Sequence, residues 1–408
     1  MRCVQVQCSD SFHRVHAEGC INNHQPDNGA DNERYHQNSY KQQELQARVH
    51  WFAVCGQLLI GYVYCIGQNF VFLPRIYCMS VRIGNINLGE FPLLLAPMED
   101  VSDPPFRYVC KQNGADMMYT EFISSEGLIR DAAKSRQKLD IFEYERPIGI
   151  QIFGSDIDHM REATEIATLA NPDIMDINYG CPVKQVACRG AGASLLQDID
   201  KMVAMTKAVV EATHLPVTVK TRLGWDDNTK NVYEVAERLQ DVGIKALTIH
   251  GRTRSQMYKG VADWTLIREI KKNPRIQIPI FGNGDIDSPE KAADWRMEFG
   301  VDGMMIGRAA IGYPWIFREI KHFFATGEHL EKPTITERIE ACNTHLMKSI
   351  EWKGERTGIF EMRRHYSNYF KGIDHFKEYR MRLVTAATLN DLHEILAEIN
   401  ENYTTVMA

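Results

Sequence analysis

The chain has 408 residues, 44% hydrophobic and 25% charged, which excludes wholesale disorder and collagen-like repeats and leaves room for two or three domains. With 47 Lys and Arg against 53 Asp and Glu, the formal charge is −6. That balance excludes attachment to nucleic acid by overall charge but permits a local basic face.

Residues 1–78 differ in kind from the rest. They hold 12 of the 100 charged residues and six of the ten cysteines, and the first fifty are rich in Asn, Gln and His without a helical or strand period. Residues 51–73 carry no charge and are long enough to span a bilayer, but Gly56, Gln57, Gly61, Gly67, Gln68 and Asn69 make them a weak span candidate. They lie too far from the terminus for a secretory signal. Met79 reads as the natural start of a cytoplasmic enzyme, which makes residues 1–78 an extension with no part in function. No cysteine belongs to a CxxC pair, and the four beyond residue 78 suit a reducing, cytoplasmic compartment.

From residue 92 to about 320, short apolar runs alternate with helical stretches. The runs are 93–97, 117–121, 148–153, 174–179, 217–221, 246–250, 278–282 and 303–306, spaced like βα units. Helical periodicity marks 160–170, 200–212, 232–242 and 289–299, with Gly114, Gly243 and Gly300 as stops. Eight such units predict an α/β fold, a (β/α)8 TIM barrel, rather than an open sheet, whose GxGxxG turn is absent. In a barrel the strand ends converge on one face. There stand Pro97, Met98, Glu99, Glu121, Gln151, Asn178, Cys181, Lys220, Arg222, His250, Arg252, Asn283, Gly284, Asp285, Gly307 and Arg308. Glu121 also fits a cap or rim carboxylate, and Arg252 an ordinary ion-pair partner.

Glycine-rich turns close runs seven and eight, where barrels often hold a phosphate, and Arg308 offers that phosphate a fork of donors. The rest of the rim suits a flavin. Gln151 can pair with a pyrimidine edge, Lys220 can balance charge near N1, and Pro97-Met98 can lie under the ring. His250 fits either the cofactor or a satisfied rim position.

The stretch 174–196 is the most specific. Asn178, Gly180, Cys181 and Pro182 form N-x-G-C-P at the barrel mouth, followed by Lys184, Arg189 and a run of small residues. Burying a thiol on such a loop gains little, and a protonated thiol can donate a proton. Cys188 reads as the structural cysteine of the pair.

After Pro333 the pattern is helical, over 335–351 and 389–399. Residues 353–382 hold eight Lys/Arg against four Asp/Glu, and Arg363, Arg364, His365, Tyr366, Tyr369, Phe370 and Lys371 interleave basic and aromatic side chains. Such a stretch suits phosphates and stacked bases. Composition alone favours a solvated basic helix with its aromatics in the core.

Residues 92 to about 385 resemble the tRNA-dihydrouridine synthases, especially the bacterial B-type. The matching pieces are APM (96–98), DPPFR (103–107), GIQIFG (149–154), N-x-G-C-P with Lys184 and GASLL, VKTRLGWDD (219–227), IHGRTR (249–254), GNGDI and GRAAIG-x-P-W. The resemblance implies an FMN-bearing barrel followed by a helical domain. It implies reduction of particular tRNA uridines to 5,6-dihydrouridine, with NADPH or NADH as the reductant. Cys181 is then the proton donor to C5 of the uracil. Pro97, Met98, Glu99, Gln151, Lys220, His250, Asn283, Gly284, Asp285, Gly307 and Arg308 contact FMN. Asn178 and Arg222 face the uracil. The resemblance also turns the basic helical segment, with Arg363 and Arg364, towards tRNA. Glu99 and Asp100 stand where many members have Ala-Gly, which sets an acid beside the flavin.

The expected domains are therefore the extension 1–78, a catalytic FMN-binding barrel 79–325 and a tRNA-binding helical domain 326–408, with no stable protein partner and no membrane. Two rivals remain. One is an FMN barrel acting on a small substrate, such as a dihydroorotate dehydrogenase, against which the basic C-terminal segment argues. The other is an RNA-binding protein without turnover, against which Cys181 and Lys220 argue.

Overall fold

The computed structural model describes residues 48–54, 57–66, 69–75 and 80–404. The chain divides into two units, Met1–Tyr77 and Cys78–Ala408. In the first, the strands Arg48–Val54, Gln57–Ile66 and Asn69–Arg75 pair as an antiparallel sheet. The weak span candidate 51–73 is thus stranded where described. Among the described residues no helix is long and apolar enough to cross a membrane. The rest of the extension 1–78 lies outside the described residues.

In the second unit eight parallel strands form a barrel: β1 (Leu93–Leu95), β2 (Met118–Tyr119), β3 (Ile148–Phe153), β4 (Ile174–Tyr179), β5 (Val217–Arg222), β6 (Ala246–His250), β7 (Ile280–Asn283) and β8 (Gly303–Ile306). Each pairs with its sequence neighbour, β8 pairs with β1, and a parallel bridge between Leu94 and Met117 completes the ring. The predicted barrel is present. Strand β1 is shorter than its apolar run because Pro97 has no N–H to give the ladder.

Helices follow the strands: α1 (Pro104–Gln112), α2 (Ser125–Ile129), α3 (Ile157–Leu169), α4 (Ile199–Glu211), α5 (Val232–Asp241), α6 (Thr265–Lys272), α7 (Pro289–Phe299) and α8 (Ile316–Thr326). Their starts are written locally. Asp103, Asp156, Asp198 and Ser288 each accept a backbone N–H in the first turn, a cap worth about 0.5–2 kcal/mol. Gly300 ends α7 in the left-handed conformation that a Cβ disfavours. The hairpin of Arg82–Ile83 and Ile86–Asn87 packs Val81, Ile83 and Leu88 against Leu94, Ile174, Ala246, Phe281 and Met305. Those residues lie at or near the strand starts, so that end of the barrel is plugged and chemistry is left to the other.

Four helices follow: α9 (Ile335–Lys353), α10 (Glu355–Tyr369), α11 (Lys377–Thr385) and α12 (Leu389–Thr404). A reciprocal pair of hydrogen bonds between Thr334 and Glu337 opens α9. The bundle has its own core, which contains Tyr366, Tyr369 and Phe370. Tyr366, Tyr369 and Phe370 are therefore core residues, as composition alone favoured, while Phe360 of the same segment is exposed.

The bundle meets the barrel through α1. Buried Lys353 joins Asp103, the cap of α1, to Glu361. Phe106 of α1 stacks on His365, whose ring lies 4.6 Å from that of His345, and His345 Nδ1 is 3.1 Å from the Tyr369 hydroxyl. Burial holds His345 at about 3 and drives His365 well below the usual histidine range. Both are neutral in the folded chain, whereas the unfolded chain protonates each near about pH 6.5. Their contribution to stability is therefore complete above about pH 6.5 and is lost as the pH falls towards the folded values, at roughly 1.4 kcal/mol per pH unit per histidine. Thermal melts are expected to show Tm falling from pH 7 to pH 5.5, and His365→Phe to flatten that slope. An unchanged slope in the variant would contradict the assignment.

Candidate active site

Strand register assembles the site in rows. Gln151, Asp176 and Thr218 are aligned across β3–β5; Asn178, Lys220 and Thr248 across β4–β6; Arg222, His250 and Asn283 across β5–β7. Paired residues of parallel strands share a face, so each row brings its side chains together.

In the first row, buried Asp176 accepts from Gln151 Nε2 at 2.5 Å and from Thr218 Oγ1 at 2.5 Å. Burial pushes its carboxyl up to about 6, against the pull of both hydrogen bonds and the charge of Lys220. Gln151 Oε1 accepts from Asn178 Nδ2 at 2.8 Å, which fixes which end of its amide is which. Asp176 was missed in the sequence. Its signal was the alternation in IMDINY, which sets Asp176 and Asn178 on one face.

The cysteine loop is clamped from both sides. Asn178 Oδ1 accepts the N–H groups of Gly180 at 2.9 Å and Cys181 at 2.8 Å, and Arg222 Nε donates to the Gly180 carbonyl at 2.7 Å. Arg222 Nη1 goes on to the carbonyls of Thr253 and Met257, tying this loop to the one after β6. Asn178 and Arg222 thus hold the peptide that carries the thiol. Cys181 is 6% exposed while Cys188 is exposed, so the order expected from sequence is reversed. The reason is tertiary. Gly192, in the left-handed region at φ +59°, packs so closely on Cys181 that a Cβ there would lie 3.3 Å from the Cys181 Cβ. Burial, opposed by a backbone hydrogen bond and by Arg222 and Lys220, raises the thiol above its ordinary value. It is protonated at neutral pH.

Cations dominate the other side. Burial and Arg222 lower Lys220 to about 8, and its ammonium has no hydrogen-bond partner among the described residues. Arg252, 2% exposed, donates to Asp285 Oδ2 at 2.6 Å and to the Gly260 carbonyl, and its Nη1 lies 3.3 Å from His250 Nε2. The ion-pair reading of Arg252 holds. Buried His250 is driven well below the usual histidine range by burial and by the charges of Arg222, Lys220, Arg252 and Arg308. Arg308 is half exposed, donates to Asp285 Oδ1 at 3.0 Å and lies 5.0 Å from the centre of the Tyr258 ring. Between them is Gly284, at φ +112°, where a Cβ would meet His250 Cδ2 at 2.7 Å. Only glycine fits. Asn283 Nδ2 donates to the Met305 carbonyl at 2.7 Å.

Four cations here face two carboxylates, Asp176 and Asp285, an excess that suits an anionic ligand. The anionic phosphate of a flavin nucleotide is compatible with that excess. That phosphate would be held by Arg308 and the turns Asn283–Gly284–Asp285 and Gly307. The flavin ring would lie among half-buried Pro97 and Met98, Gln151, Lys220 and His250.

Glu99 stands apart from that set. It is exposed and paired with Lys138 Nζ at 2.6 Å, and the same ammonium lies 3.6 Å from buried Glu121. Glu121 accepts the Asp100 N–H at 2.7 Å, which makes it the rim carboxylate the sequence allowed. Lys138, 39 residues beyond Glu99, had no sequence signal. Arg363 and Arg364 of α10 are engaged within the chain: Arg363 donates to the Ala386 carbonyl at 3.0 Å, and Arg364 donates to the Asp100 carbonyl.

The sequence model described as Dihydrouridine synthase matches residues 94–404. A tRNA-dihydrouridine synthase B of Pseudomonas aeruginosa is 39% identical over 332 residues, covering 80% of this chain and 99% of that one. A tRNA-dihydrouridine synthase B of Pseudomonas putida is 41% identical over 303 residues, 74% of this chain and 89% of that one. Among solved structures, the 6-hydroxypseudooxynicotine amine oxidase of Pseudomonas geniculata N1 superposes with a TM-score of 0.50 at 13% identity, over 73% of this chain and 55% of that one; the likeness is one of fold.

Proposed function

The chain belongs to the dihydrouridine synthase family of flavin-dependent oxidoreductases, and on that premise we propose that it reduces the C5–C6 double bond of particular tRNA uridines to 5,6-dihydrouridine. The cofactor of this reading is FMN, the reductant NADPH or NADH, and the place the cytoplasm. Residues 79–325 form the catalytic barrel and 326–408 the domain that faces tRNA. No stable protein partner enters.

The observation that carries the reading is a clamped, buried, protonated thiol at the mouth of a barrel whose far rim is cationic. When bound, reduced flavin supplies a hydride to C6 of the uracil. Reduction of the double bond then needs one proton at C5, and Cys181 Sγ–H provides it. Asn178 and Arg222 keep that thiol in place through the Gly180–Cys181 peptide. Lys220 lies near enough to Cys181 to lower the cost of the thiolate left behind, which solvent reprotonates. A uridine stacked inside folded RNA cannot reach this mouth, so it is extruded first.

The test is a dihydrouridine assay with the purified chain, unmodified tRNA and NADPH, with the visible spectrum recorded. A flavin spectrum and NADPH-dependent dihydrouridine are expected. Flavin without dihydrouridine on any unmodified tRNA would replace the reading with a small-substrate oxidoreductase.

A further inference from the structure

A cavity of about 460 Å³ opens beside Cys181, among the loops after β1 to β4. That volume is within the range of small-ligand pockets, roughly 300–1,000 Å³. None of Gln151, Lys220, His250, Asn283 or Arg308 lines it, so it is not the rim read as the flavin seat. Cys181 and Glu99 alone are shared with the residues already assigned.

The carboxylates that line it, Glu99, Asp100 and Glu126, are paired with Lys138, Arg364 and Arg130, and its walls have three further kinds of chemistry. Phe122 and Phe153, both half-buried and edge to face at 5.5 Å, give it an aromatic side. Ser124, Ser125, Ser135 and Ser155 give it hydroxyls, and Ser125, 1% exposed, has a hydroxyl with no hydrogen-bond partner among the described residues. A buried hydroxyl left unpaired is costly, and one that lines a cavity marks where a ligand's polar atom can sit. Lys134 and Arg189, both exposed, stand at the cavity without an ion-pair partner among the described residues, while Lys138 there is already matched by Glu99.

We propose that this cavity is a second nucleotide subsite, which takes the RNA residue adjoining the extruded uridine. Aromatic rings bind a base by its face without regard to sequence, hydroxyls meet base edges or a ribose 2′-OH, and exposed cations meet the phosphodiester as the strand leaves. The position favours RNA over the reductant. A uracil presented to Cys181 has strand neighbours on both sides, and a nucleoside-sized space that shares Cys181 as a wall lies within one nucleotide of it. The inference rests on tRNA being the substrate.

The experiment uses the flavin-loaded full chain and two variants, Ser155→Phe, which fills the space, and Lys134→Ala, which leaves the walls intact. Dissociation constants for unmodified tRNA are measured over a salt series, together with the KM for NADPH in flavin reduction without tRNA. Ser155→Phe is expected to weaken tRNA binding about tenfold or more with the NADPH KM unchanged. Lys134→Ala is expected to weaken it less and to reduce the salt slope by about one. Wild-type tRNA affinity in both variants would overturn the proposal, and so would an effect that falls on NADPH instead. A wild-type chain that forms no dihydrouridine would count against the function itself, a separate result from the binding series.

Discussion

Replacement of Cys181 by alanine is expected to abolish dihydrouridine formation while flavin content and tRNA affinity stay at wild-type values. General acid catalysis by a placed side chain is worth about 10²–10⁴-fold, and that is the expected loss in single turnover with pre-reduced enzyme. The fold should tolerate the change. The clamp on residues 180–181 uses backbone groups, which alanine keeps, and Gly192 packs on the Cys181 Cβ and carbonyl rather than on the sulfur. Reduction of the bound flavin by NADPH should proceed as before, because the thiol is needed only when the proton is delivered. Serine at 181 should rescue little, since a hydroxyl in the same buried place holds its proton more tightly than a thiol. Unchanged turnover in the alanine variant would remove Cys181 from the mechanism.

The second large effect is expected at the opposite rim, where Arg308→Ala should shed flavin. A hydrogen bond to a charged group contributes about 1.5–3 kcal/mol, equivalent to roughly 10–150-fold in cofactor affinity. The fold should survive, because Asp285 keeps two of its three donors, Arg252 at 2.6 Å and the Ala262 N–H at 2.8 Å. Lysine at 308 keeps the charge but not the fork of donors, so a partial return of affinity is expected. The flavin-to-protein absorbance ratio after dialysis reads the outcome. Full retention in the alanine variant would sink the phosphate assignment.

The two experiments probe groups that differ in how they could be found. Arg308 follows a strand whose end is marked by Gly307, and Cys181 sits in N-x-G-C-P, so both were visible as local patterns. What surrounds them was not. Arg364 reaches Asp100 across 264 residues, and its bond to that carbonyl has no trace in either neighbourhood. Lys138 is one more lysine in a polar loop until the fold sets it between Glu99 and Glu121. Arg222 looks like a free cation facing the mouth, yet three of its hydrogen bonds run to backbone carbonyls of two loops.

The sequence by itself determined the barrel, because strand and helix periods, caps and glycine stops are local properties of the chain. It also determined that the chemically capable residues gather at one end, since in a (β/α)8 fold every strand finishes there. Burial was decided only by the tertiary structure. It is a property of a residue's neighbours in space, and so Cys181 rather than Cys188 is the enclosed thiol, and Asp176 carries a carboxyl raised to about 6.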